Sequence, residues 1–470
     1  MEAGWCVRQL AEGFRSRALS PVEVVRLYLD RIERLDGRVR AFVQVEGEAA
    51  LEAARAAEAE IARGRWRGFL HGVPVAVKDN IDVAGLESRN GSEAFRGRRA
   101  ERDSGVWSRL RGAGAVLIGK LAMHEVAWGV DRPPTRNPWD LTRSPGLSSG
   151  GAGAAVAAGM CAVALGTDTG GSVRIPASCC GVVGLKPTYG RIGRAGVLPH
   201  SWWLDHVGTL TRYVEDAAIV LGAIAGRDPG DPSSASVEVG EYLKELGLGV
   251  RGLRIGVPRE YFFDGVEPGV AAAVGDALAC LERGGALLED VSIPHVRYGL
   301  GAILTIELAS AAAWHEKYLR NPEVRARYGR EVRVLLNAGR FVLASDLLKA
   351  ERLRRLLLEE LLAVFQRVEV LVTPTLPLVA WRVDQQYVAL GEETEHVLHA
   401  CWRFTFPFNL TGLPAVSVPC GFSDGLPVGL QIVGRPFEER KVLRVAEYCE
   451  KETGLPEREP SAIASLRRGE

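Results

Sequence analysis

Gly146-Leu147-Ser148-Ser149-Gly150-Gly151 and Asp168-Thr169-Gly170-Gly171-Ser172-Val173-Arg174 decide the reading of this chain. They are two serine-bearing glycine turns on either side of Ala152–Gly159, a run made of Ala, Gly and Val alone. Glycine in such turns lets backbone approach a small molecule closely. The run between them predicts a helix packed tightly under a site, since it has no polar face to offer solvent. Downstream, Ile175-Pro176-Ala177-Ser178-Cys179-Cys180-Gly181 leads into Val182-Val183-Gly184-Leu185-Lys186.

Away from the turns, helix and strand patterns alternate. Val22–Leu35 and Glu46–Arg63 have helical periodicity, with Ser20-Pro21 as cap and first-turn proline. Strands are expected at Gly72–Ile81, Ala115–Gly119, Cys161–Gly166, Leu253–Val257 and Val368–Thr373. Helices are expected at Ser104–Arg111 and Gly150–Gly159, then over about 267–284 and 301–366. This rhythm predicts an α/β layered core. Arg227-Asp228-Pro229-Gly230-Asp231-Pro232-Ser233-Ser234 is dense in turn formers and reads as a loop.

Composition excludes several classes. The 470 residues are 47% hydrophobic and 25% charged, as in a globular protein with a sizeable core. Lys and Arg total 58, balanced by 58 Asp and Glu, so no global field draws the chain to nucleic acid or an anionic membrane. No apolar run suggests a spanning helix, and Glu2 and Arg8 spoil a signal-peptide layout, so a cytoplasmic location is expected. The eight cysteines lack the spacing of a zinc site or a disulfide framework, and Cys179-Cys180 reads as structural. Gly114-Ala115-Val116-Leu117-Ile118-Gly119-Lys120-Leu121 nears a phosphate-binding loop, but Leu121 stands where Ser or Thr is required, so it reads as core. The glycines at 151, 153 and 159 lack the preceding strand and acidic partner of a dinucleotide fingerprint. No histidine pair has metal-ligand spacing, and no metal or organic cofactor is expected.

The run from Gly146 to Arg191 resembles the amidase signature family of Ser-Ser-Lys hydrolases. Other segments carry the same resemblance: Gly72-Val73-Pro74-Val75-Ala76-Val77-Lys78-Asp79-Asn80, Asn137-Pro138-Trp139-Asp140, Leu204-Asp205-His206-Val207-Gly208, Pro407-Phe408-Asn409-Leu410-Thr411-Gly412 and Gly425-Leu426-Pro427-Val428-Gly429-Leu430-Gln431. The likeness spans about residues 5 to 455 and implies an α/β/α sandwich with a large mixed central sheet. One domain over 1–470 is expected, with core at about 65–230 and 368–455, amino-terminal helices at 1–64 and a variable helical region at about 235–366.

The resemblance implies Ser172 as nucleophile, Ser148 as proton relay and Lys78 as base, with Ser149 supporting the lysine. Lys78 must be neutral to accept a proton, so burial has to lower its pKa by roughly 2 to 3 units. The apolar approach Val73-Pro74-Val75-Ala76-Val77 is consistent with that. The N–H groups of Thr169, Gly170, Gly171 and Ser172 are the candidate oxyanion donors, because two glycines permit a nest-like turn. Asp168 and Arg174 flank the nucleophile with opposite charges and read as supports for the turn. Leu147 stands where the family usually has glycine, beside a peptide bond that family members hold cis. Either the turn accepts leucine there or its geometry differs. Asp205-His206 belongs to a motif that the resemblance implies is structural, so a Ser-His-Asp triad through His206 is not expected.

Two branches of the family compete: free-standing amidases, and the glutaminase component of glutamyl-tRNA(Gln) amidotransferase, its A subunit, which works with B and C subunits. The A subunit carries an arginine just after the segment matching Glu331-Val332-Arg333, and an acidic residue where this chain has Trp402. Here Val334-Leu335-Leu336 follows, so a zwitterionic substrate lacks both ion-pair partners. An apolar or aromatic amide is therefore expected as the small-molecule substrate, with Trp202, Trp203, Trp402 and Phe406 as candidate pocket lining. No direct nucleic-acid or membrane partner is expected, and a homodimer is a family-level expectation. A catalytically silent binding protein on the same scaffold is the remaining reading.

Overall fold

The computed structural model describes residues 4–131 and 133–468; Glu2 of the amino-terminal reading lies outside them. Among the described residues are thirteen strands: β1 Phe42–Val45, β2 Pro74–Lys78, β3 Val116–Leu121, β4 Val163–Asp168, β5 Val183–Lys186, β6 His206–Thr211, β7 Arg254–Pro258, β8 Leu287–Val291, β9 Val370–Pro374, β10 Tyr387–Leu390, β11 Glu393–His396, β12 Ala415–Ser423 and β13 Leu426–Gly434. Eleven form one sheet in the order β1-β3-β2-β4-β6-β5-β12-β13-β9-β7-β8, and β10 with β11 makes a separate hairpin. The β3-β2-β4 and β9-β7-β8 patches are parallel, while the strands between them pair antiparallel. The sheet is thus mixed and flanked by helices, as expected.

The period-two alternation of β2 sorts its side chains between two apolar layers. Val75 and Val77 join a cluster with Val106, Leu165 and Val220. Ala76 joins the other, with Ala152, Ala154 and Ala155 of the helix Gly150–Ala157. Lys78, two residues beyond Ala76, therefore faces that helix at its amino-terminal end. β4 lies parallel beside β2, with Val77 opposite Leu165, so Lys78 and Asp168 both sit at carboxyl ends of neighbouring parallel strands. Ligand sites gather at such ends in α/β sheets.

Several expectations hold locally. Ser20 caps the helix Pro21–Val39, accepting from the N–H groups of Val22 and Glu23 at 3.2 Å. Lys120 of the phosphate-loop look-alike is fully buried and donates to Ile81 O at 2.8 Å and Ser88 Oγ at 2.7 Å, which makes it core. All eight cysteines are unpaired thiols, and burial pushes Cys179 and Cys180 well up.

The stretch expected as helix over 301–366 is broken into Gly299–Leu319, Pro322–Ala326, Arg330–Gly339 and Ala344–Val364. Asn321-Pro322 starts the second piece, with the Asn321 side chain accepting from Glu323 N at 2.9 Å. Within this region Val296–Leu319 is apolar and long enough to cross a membrane by length and composition alone, with mean hydropathy 1.2. It reads as a core helix instead. More than half of its apolar window is buried inside the protein, against the helices Arg330–Gly339 and Ala344–Val364, and its one acidic residue before Glu316, Glu307, is buried beside His200.

Candidate active site

Lys78 sits at the centre, wholly buried. Its Nζ lies 2.8 Å from Ser148 Oγ, 2.9 Å from Ser149 Oγ and 2.9 Å from Thr167 Oγ1. Burial lowers its pKa to about 7, against the opposing pull of the Asp168 and Asp205 carboxylates. About half of the molecules then carry a neutral amine near pH 7. Ser149 Oγ also donates to Thr167 O at 3.1 Å, and Asn80 Nδ2 donates to Thr167 Oγ1 at 3.1 Å.

The Leu147–Ser148 peptide is cis, and Leu147 is buried in an apolar cluster with Ile175, Cys179 and Trp381. The turn therefore accepts leucine. Gly146 before it has φ 86°, and a Cβ there would come within 2.7 Å of Pro176 Cα, so this position requires glycine.

The two turns meet through backbone, with Ser149 N–H donating to Ser172 O at 3.2 Å. The Ser172 side chain is 6% exposed and its hydroxyl has no hydrogen-bond partner among the described residues. Gly171 N–H is turned inward to Asp168 Oδ1 at 2.7 Å. The N–H groups of Thr169, Gly170 and Ser172 have no acceptor among the described residues. A Cβ on Gly170 would lie 1.8 Å from Phe406 Cε1, so the ring packs directly against bare backbone.

Asp168 and Arg174 hold this turn from below, both fully buried. Arg174 Nε and Nη2 reach Asp168 Oδ2 and Oδ1, each at 3.1 Å, while Nη1 donates to Thr405 O at 3.0 Å and Gln431 Oε1 at 2.7 Å. Asn409 Nδ2 adds a bond to Asp168 Oδ1 at 2.7 Å. Burial alone would raise the Asp168 carboxyl, but Arg174, Lys186 and Asn409 outweigh it and hold the group well below the usual carboxylate range. His206 takes no part with the serines, since its Nδ1 faces the carbonyls of Leu204 at 2.6 Å and Asp168 at 3.2 Å.

A cavity of about 900 Å³ opens beside Leu147 and His124. Trp381, Val397 and Leu398 form one wall, and Val334 and Leu335 of the helix Arg330–Gly339 another. His124 lies close to Lys78 and donates its backbone N–H to Ser148 O at 3.2 Å. Burial, then the Lys78 charge, pushes its imidazole down to about 3, so it is neutral at physiological pH. Of the aromatic candidates, Trp202 and Trp203 are 47% and 43% exposed and lie outside the cavity wall. Trp402 stacks on Phe406 at 5.3 Å between ring centroids and so backs the Gly170 turn. Thr167, His124 and Trp381 do not stand out in the sequence. Only Thr167 has a signal there, its place directly before Asp168.

The amidase family model matches residues 23–443. The chain belongs to the amidase family. Among its relatives is the A subunit of glutamyl-tRNA(Gln) amidotransferase from Moorella thermoacetica, 44% identical over 478 residues and covering 96% of this chain and 97% of that protein. An amidase from Pseudomonas putida is likewise 44% identical, over 461 residues, covering 97% of this chain and 98% of that protein. The crystal structure of a bacterial aryl acylamidase of the amidase signature family superposes with a TM-score of 0.89 at 28% identity, covering 99% of both chains. With its family, the chain is a hydrolase of amide C–N bonds.

Proposed function

We propose that this amidase hydrolyses a primary carboxylic amide to acid and ammonia through an acyl ester on Ser172, with Ser148 and Lys78 moving the proton. The observation that carries this reading is the buried Lys78 amine, with a pKa of about 7, held between three hydroxyl oxygens. A neutral amine has two N–H groups and one lone pair. Ser149 gives its own proton to Thr167 O, and Thr167 Oγ1 already accepts from Asn80. Those two oxygens accept the two N–H groups, which leaves the lone pair for the proton of Ser148.

As Ser172 Oγ bonds to the amide carbon, its proton passes to Ser148 while Ser148 passes its own to Lys78. The oxyanion is held by the N–H groups of Thr169, Gly170 and Ser172, each worth about 3 to 4 kcal/mol where such donors have been removed in other hydrolases. Gly171 N–H is engaged with Asp168 and supports the turn instead. Collapse breaks the C–N bond, and ammonia leaves with the proton returned from Lys78. Water then adds to the ester, Lys78 takes its proton, and the carboxylic acid departs as Ser172 recovers its hydrogen.

Overall similarity does not separate the two branches, since both relatives are 44% identical. The cavity favours a free-standing amidase acting on an apolar or aromatic amide, because Val334, Leu335 and Trp381 line it and Trp402 is committed to stacking on Phe406. In this reading the chain works as one domain over 1–470, in the cytoplasm. Ammonia release by the purified chain tests it, using aryl and aliphatic amides beside glutamine, with Ser172→Ala and Lys78→Ala as controls. Turnover of aryl or aliphatic amides that both substitutions abolish is expected. Activity on glutamine alone, or only with partner subunits and charged tRNA, would make this the glutaminase component of an amidotransferase. Failure of a fluorophosphonate to label Ser172 would mean a silent binding protein.

A further inference from the structure

Outside the cavity, a groove of about 300 Å³ runs along the helix Arg330–Gly339 and is lined by Arg325, Arg330, Arg333, Val334 and Asn337. Arg330 and Val334 line both spaces, so the groove continues the cavity outward. The four residues 330, 333, 334 and 337 share one helical face by their spacing, and Arg325 joins them from the short helix Pro322–Ala326. None of the three arginines pairs with a carboxylate or donates a side-chain hydrogen bond among the described residues. On neighbouring helices Arg320 pairs with Glu316 and Arg354 with Glu351. Three guanidinium groups around one groove repel one another unless an anion joins them, and together they offer a dense set of planar donors. The cavity wall itself carries Asp131 and Glu331, whose negative charges disfavour an anion there.

We propose that this groove binds the anionic end of the substrate: an amide bearing a carboxylate or phosphate group at the end remote from the scissile C–N bond. The apolar middle of such a molecule lies against Val334 and Leu335, and its amide reaches the Ser148 and Ser172 turns. The inference rests on the amidase reading and refines its substrate class. The acidic cavity wall and the basic groove then fix the direction in which the substrate enters.

The test compares straight-chain amides of graded length that end in carboxylate, phosphonate or methyl. At the length that spans cavity and groove, an anionic end is expected to raise kcat/KM about tenfold over the methyl-ended amide, the size of one charge-assisted hydrogen bond. That ratio should fall towards one in the double variant Arg325→Gln/Arg333→Gln, recover in Arg325→Lys/Arg333→Lys, and shrink with added salt. The better of the carboxylate and phosphonate series identifies the anion. Equal kcat/KM for anionic and methyl-ended amides at every length would overturn the proposal. Calorimetric titration of the same amides into the Ser172→Ala protein separates this outcome from failure of the amidase reading. Tighter binding of the anionic amides that the double glutamine variant abolishes supports the groove even where no amide turns over, and binding indifferent to the end group or to the variant refutes it.

Discussion

The centre around Lys78 and the cavity wall on the helix Arg330–Gly339 are built in opposite ways. Lys78, Ser148, Ser149, Asp168 and Arg174 are all fully buried and tied to one another or to β4, β13 and the Phe406–Leu410 helix. Val334 on the wall is 59% exposed, and the arginines beside it make no ion pairs among the described residues. A buried charge stripped of its partner costs several kcal/mol, whereas an exposed side chain changes with little effect on stability. In the proposed reading the chemistry is therefore confined to groups that cannot vary singly, and substrate choice rests with groups that can.

The sharpest separation of the two regions is in rate. Ser172→Ala should lower kcat about a millionfold, as removal of the nucleophile does in other serine hydrolases, with the fold intact by circular dichroism. Residual turnover near the wild-type rate would move the chemistry away from this turn. Next comes stability. Arg174→Leu leaves Asp168 buried and unpaired and should cost about 3 to 5 kcal/mol in denaturant unfolding. Arg340→Ala, at the end of the wall helix, should stay within about 0.5 kcal/mol of the parent. Similar losses for both would erase the contrast.

A smaller effect concerns pH. Protonated Lys78 cannot accept a proton, so kcat/KM should rise with pH through a midpoint near the amine's pKa of about 7. The Asp205 carboxylate stabilises the ammonium form and raises that pKa. Asp205→Asn removes the negative charge, so the midpoint should move to lower pH by up to about one unit. A midpoint that ignores Asp205 would remove Lys78 as the base. The smallest effect belongs to the wall: Val334→Ala should raise KM for an apolar amide about threefold with kcat unchanged, from the apolar surface it no longer covers.

Much of the centre is legible in sequence because close backbone approach demands glycine. Gly146, Gly170 and Gly171 each stand where a Cβ would strike Pro176, Phe406 or Thr405. The unbroken apolar run Val73–Val77 likewise places Lys78 at the end of a buried strand. Asn80, Asn409 and Gln431 lie inside recognisable segments, but their partners, Thr167, Asp168 and Arg174, follow only from three-dimensional contact. The candidate oxyanion donors are legible as a group and not individually, since the engagement of Gly171 N–H depends on where the Asp168 carboxylate points. Reading the wall fails more fully: Trp202 and Trp203 are surface residues, and Trp381 escapes notice because nothing local distinguishes a lining tryptophan from a core one.

By itself the sequence determined the layered α/β core, the two serine turns and the strand that brings the lysine, because glycine demand and a continuous apolar run are local properties. Tertiary structure alone decided that Lys78 is buried among three hydroxyls with its pKa lowered to about 7, which N–H groups remain free among the described residues, and what lines the cavity. A pKa is set by the desolvation and charges that distant segments bring, and a cavity by the side chains that several elements leave around it, so neither is written in any one stretch of chain.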